Sequence, residues 1–159
     1  MRQKYTKLQM VLEIVAVLLI LAIIAFLTLR WSLIPDRIPG HYNAVGQVDR
    51  WGNKSEILAL PAVGLVLYGL LTAISFVPSL WNVPVTMTEE NKPGVYSRMK
   101  TMLLLLKVEM LAIFCFLTVN TSMANPLPYW FLPVLLVVVF GSVLCSVIDV
   151  SRYAKRKKR

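Results

Sequence analysis

Ile14-Val-Ala-Val-Leu-Leu-Ile-Leu-Ala-Ile-Ile-Ala-Phe-Leu27 contains no polar side chain, and mostly apolar flanks extend the run over about 9–29. A bilayer crossing takes roughly 20 predominantly apolar residues, so this stretch is long enough to span one. Its end, Phe26-Leu-Thr-Leu-Arg-Trp31, offers no small-x-small site to a signal peptidase, and the segment reads as a retained anchor. Three further stretches qualify, at about 57–80, 99–121 and 127–148. Hydrocarbon requires every backbone donor and acceptor to be bonded internally, which makes helices of all four. The expected fold is therefore an all-α integral membrane protein, a single membrane domain over 1–159 with four transmembrane helices. At 159 residues and 57% apolar, the chain has little left for a soluble catalytic domain.

The net charge of +9 is set by where the bases lie. Arg2, Lys4 and Lys7 precede the first span; Lys92, Arg98 and Lys100 belong to the middle loop at 81–98 and its exit; six more form a basic tail at 151–159. The short connection at Asn125 has none. Positive charge favours the cytoplasmic side, so both termini are expected there in a multi-pass cell-membrane protein, with the loops at 30–56 and Asn125 outside. No aromatic or groove-reading element accompanies the basic residues, and nucleic acid is not an expected partner; the lipid bilayer is. Cys115 and Cys145 fall at different depths of neighbouring spans and are not expected to form a disulfide.

The outer loop at 30–56 is long for a connector, and loops of that length are ordered or functional. Pro35 and Pro39 favour extended backbone from Leu33 to Gly40, Gly46 and Gly52 permit turns, and Asn53 with Glu56 forms a capping box for the second helix. Trp31 and Trp51 suit the outer headgroup level. In the middle loop Thr86 and Glu89 have capping-box spacing, which predicts a short helix on the membrane surface ended by Pro93-Gly94.

The pattern Ile34-Pro35-x-x-Ile38-Pro39-x-His41-x-Asn43-x-x-Gly46-x-x-Asp49-x-Trp51-Gly52-x-Lys54 resembles the extracytoplasmic signature of a bacterial membrane domain of unknown function. That domain forms the N-terminal part of Sdp-type toxin immunity proteins. The likeness continues in Asn82-Val-Pro-Val-Thr-Met-Thr-Glu-Glu-Asn91 and in Leu106-Lys107-x-Glu109, and the chain is similar to the shorter, four-span members. The resemblance implies an extracellular peptide or envelope protein as partner, and a cytoplasmic regulator reached through the middle loop.

Two groups of residues are candidates for function. In the outer loop His41, Tyr42, Asn43, Asp49, Trp51 and Lys54 either shape the loop or present a recognition surface; catalysis through His41 with Asp36 or Asp49 is a further alternative. A single histidine lacks the spacing of a metal motif, and neither a metal nor a cofactor is expected. Within the spans, Glu13, Lys107 and Glu109 are ionisable and costly there, so they should face protein. Lys107 and Glu109 are about 200° apart around their helix, so one should meet the helix of Glu13 and the other a different neighbour. A Glu13–Lys107 pair is the structural reading; a small ion-coupled permease using all three is the functional one.

Overall fold

The computed structural model describes residues 5–157. Four helices are long and apolar enough to cross a membrane. Helix α1 spans Lys7–Arg30 and starts at a capping box, in which the Thr6 hydroxyl accepts from the Gln9 amide and the Gln9 side chain accepts from the Thr6 amide. Helix α2 is Ala59–Ser75, α3 is Lys92–Ser122 and α4 is Phe131–Arg156. Helix α3 is the hub: α1, α2 and α4 all pack on it, while α1 and α2 scarcely touch. Apolar side chains such as Leu18, Leu21, Val137 and Phe140 face outward on α1 and α4. Water would not tolerate apolar faces of that extent, and a multi-pass membrane protein is what they suit.

The structure departs from an all-α fold in the outer loop. Strands β1, Arg37–Tyr42, and β2, Val48–Asn53, pair antiparallel as a hairpin. Prolines confine this segment to extended geometry, and Pro39 is tolerated because a two-stranded ribbon consists of edges. The register is irregular around His41, which pairs with Arg50 between Pro39 opposite Trp51 and Tyr42 opposite Val48. Asn43 builds the turn: its side-chain oxygen accepts from the amides of Val45 (3.1 Å) and Gln47 (2.9 Å). Asn53 and Glu56 do form the capping box, although it opens a 3-10 segment at Lys54–Leu58 ahead of α2.

The expected surface helix beginning near Thr86 does not form. Thr88 and Asn91 make the reciprocal bonds instead, at 2.9 and 3.2 Å, and the next residue begins α3. Pro93 thus stands in the first turn of a helix, where proline's fixed φ is favourable, and Pro93-Gly94 opens α3 where the sequence reading had it close another helix. Helix α3 consequently starts seven residues before the expected 99. Helix α4 is shifted from 127–148 to 131–156, because Pro126 and Pro128 hold the connection out of the helix and its other end continues into the basic tail. Helix α2 stops at Ser75 before Pro78, with the Trp81 indole donating to the Ile74 carbonyl at 2.8 Å. Arg2, Lys4, Lys158 and Arg159 lie outside the described residues.

Two apolar clusters mark the ends of the bundle. At one end Ile34, Ile38 and Ile57 pack on Ile23 and Leu27, seating the hairpin. At the other, Val95 and Met99 of α3 meet Val150 and Ala154 of α4, covered by the alternate residues Trp81, Val83, Val85 and Met87 of the extended 81–87 segment.

Candidate functional site

Most of the hairpin's distinctive residues are consumed in holding it. The Tyr42 hydroxyl reaches the α3–α4 connection, donating to the Asn125 carbonyl at 3.1 Å and lying 3.2 Å from Thr121 Oγ1. The Leu127 amide donates to the Gly46 carbonyl at 2.8 Å, which bonds the turn directly to the same connection. Gly46 has φ +82°, and a Cβ there would stand 2.7 Å from the Leu127 carbonyl oxygen. Arg50 bridges β1 and the entry to α2, donating to the Gly40 carbonyl (2.7 Å) and to Glu56 (2.9 Å). Arg50 and Glu56 are thus an ion pair within the loop. Lys54 instead sits over the Trp31 ring at 4.9 Å.

His41, Asp49 and Trp51 remain at the surface. His41 Nδ1 and Asp49 Oδ1 are 2.6 Å apart, with 65% and 43% of the two side chains exposed. Trp51, two residues beyond Asp49 on β2, is also exposed. Among the described residues no three His, Cys, Asp or Glu side chains gather as a metal site would require. Thus the six loop candidates divide: Tyr42, Asn43 and Lys54 make internal contacts, and His41, Asp49 and Trp51 form an outward polar-aromatic face.

The intramembrane charges lie far from this face. Lys107, on α3, is fully buried and gives its ammonium to both Glu13 oxygens, at 2.7 and 2.8 Å, and to the Thr72 hydroxyl at 3.1 Å. Three donors therefore meet three acceptors, with the Tyr68 ring 4.6 Å away. Glu109 points to α4 and accepts from Ser142 at 3.0 Å. Lys107 and Glu109 thus face different helices, as their angular separation requires, and the three charges do not form one constellation. Replacing Glu109 by Gln should leave the fold intact, because the amide oxygen still accepts from Ser142; Ser142→Ala should cost about 1 kcal/mol. Unfolding in detergent would check both, and a collapse of Glu109→Gln would show that the charge itself holds the bundle.

Sequence reading missed Lys100, which it counted among the loop bases. The side chain is 6% exposed and faces the rings of Tyr5 and Phe76. A signal existed: Lys100 and Lys107 are seven residues apart, nearly two helical turns, and so share a face.

The segment that carries the hairpin is also the one that matches a known family. Residues 17–65 match the family described as a domain of unknown function, DUF1648. The matched stretch runs from within α1 through the whole hairpin into α2. A similar stretch occurs in an uncharacterized protein of Archaeoglobus fulgidus, 36% identical over 47 residues, which is 30% of this chain and 26% of the relative. The chain spans about a quarter of that relative's length. No solved structure matches the chain. Inside the matched stretch, Ile23, Leu27, Ile34, Ile38 and Ile57 supply the buried cluster beneath the hairpin.

Proposed function

We propose that this protein is a non-enzymatic recognition component of the cell membrane whose hairpin contacts an extracellular peptide or an envelope protein. The supporting observation is the division of labour in the hairpin. Its other distinctive side chains are engaged in bonding and packing, yet His41, Asp49 and Trp51 stay outside on a scaffold bolted to α3. Rigid display of an aromatic beside a His–Asp pair suits binding, since little side-chain ordering remains to be done when a partner arrives. The distribution of basic residues puts the hairpin outside and both termini in the cytoplasm. The resemblance to Sdp-type immunity proteins makes a toxic peptide the partner to seek, with the 81–87 segment as the place where a cytoplasmic regulator would dock.

The test is photo-crosslinking in cells with a reactive side chain at position 51 and mass spectrometry of the product. A discrete peptide or protein adduct, lost in an Asp49→Ala variant that still reaches the membrane, is the expected result. Attachment to lipid alone would make the hairpin a structural lid and end this reading.

A further inference from the structure

At the end of the bundle that carries both termini, three helix ends converge on Lys100. Tyr5 lies just ahead of α1, Phe76 just beyond α2, and Lys100 in the third turn of α3. The lysine is 94% removed from solvent if its 6% exposure is taken from the whole. Its ammonium is 3.6 Å from the Tyr5 ring centre and 5.4 Å from that of Phe76. Lys107, two turns deeper on the same face, has every donor bonded and a carboxylate beside it. Lys100 has neither an ion pair nor a hydrogen-bond acceptor among the described residues. The neighbouring polar groups are spoken for. The Gln9 amide donates to the Ser97 carbonyl (2.9 Å) and the Thr101 hydroxyl (3.0 Å), and Ser75 donates to the Thr72 carbonyl (2.7 Å). Two ammonium groups thus share one carboxylate, Glu13, which is bound to the deeper one.

Aromatic faces attract a cation but do not replace its hydration, so a buried ammonium held by rings alone lacks its full complement. Lys100 nevertheless keeps 6% of its exposure to the outside. Its height also matters. Seven residues separate it from Lys107, roughly 10 Å at the helical rise, and it lies toward the helix ends, where headgroups stand over a bilayer-spanning bundle.

We infer that Lys100, framed by Tyr5 and Phe76, is an anion site that takes the phosphate of an anionic phospholipid headgroup or a free phosphate of the same chemistry. The ammonium supplies the charge, and the anion supplies the acceptors that the described residues withhold. The inference is independent of what the hairpin binds.

Native mass spectrometry of the full chain in neutral detergent tests it, with phosphatidylglycerol and phosphatidylcholine as probes and inorganic phosphate as competitor. One phosphatidylglycerol should be retained over phosphatidylcholine by roughly fivefold, the worth of one well-placed basic residue near a membrane surface. Lys100→Met should abolish the preference, Lys100→Arg should keep it, and Lys157→Met, in the exposed tail, should leave it unchanged. Displacement by millimolar inorganic phosphate would identify the free anion as a ligand, and resistance would identify the lipid. No preference in the wild-type chain overturns the inference whatever the variants do. A preference that survives Lys100→Met, or that is lost with Lys157, overturns it as well.

Discussion

Lys107→Met will destabilise the bundle by about 3–5 kcal/mol, because it leaves the Glu13 carboxylate without its cation in an apolar setting. Lys107 is fully buried and Glu13 retains some exposure, so the stranded charge will draw in water at the expense of packing between α1 and α3. A second substitution, Glu13→Leu, should recover most of the loss, since replacing both partners by apolar groups removes the desolvation cost along with the attraction. Unfolding of the single and double variants in detergent measures the difference. Equal instability of the two would mean that Lys107 acts mainly through Thr72 and Tyr68. The same pair of variants bears on the permease alternative. A carrier using Glu13, Lys107 and Glu109 predicts folded but inactive neutralised proteins, whereas the closed geometry around Lys107 predicts loss of the fold itself. The ammonium has no donor left for a transported ion.

Gly46→Ala is expected to undock the hairpin while leaving the four helices in place. The left-handed backbone at this position costs a residue with a Cβ roughly 1–2 kcal/mol, and here the new Cβ would also press on the Leu127 carbonyl oxygen. The bond from the Leu127 amide to Gly46 and the Tyr42 contacts should weaken together, since they fasten the same turn to the same connection. Hydrogen exchange of the amides over 41–53 should accelerate relative to those of α3. Gly69→Ala serves as the control: a Cβ there meets nothing within 4 Å, and in a helix alanine is favoured over glycine by about 0.5–1 kcal/mol. Unchanged exchange over 41–53 would show that the hairpin is held by Ile34 and Ile38 alone.

Much of this architecture is legible in the sequence. Four apolar stretches of spanning length become four helices because hydrocarbon leaves the backbone no other way to bond itself. The Asn53–Glu56 capping box and the separation of Lys107 from Glu109 followed from local spacing, which survives into any tertiary arrangement. The hairpin was half legible. Prolines and glycines announced extended chain and turns, but strand pairing depends on which residues meet across the turn, and spacing does not state that. Thr86 and Glu89 misled because their capping box competed with the Thr88–Asn91 pair. The latter won with Pro93 just beyond it in a favourable first-turn position and Val85 and Met87 drawn onto the cluster of Val95 and Met99.

The sequence by itself determined the number of spans, an extended, turn-bearing loop between the first two and the presence of ionisable groups inside the bundle. Each of these follows from composition and periodicity along one segment. Only the tertiary structure decided which of the loop's distinctive residues were left over. Tyr42 and Gly46 became fastenings because the α3–α4 connection, some 80 residues away in the chain, supplies their partners. Likewise Lys107 found its carboxylate on α1 and Lys100 found only rings among the described residues, although both are lysines on one face of one helix. The difference lies in what α1 and α2 present at two heights, and such contacts between distant segments are set by packing.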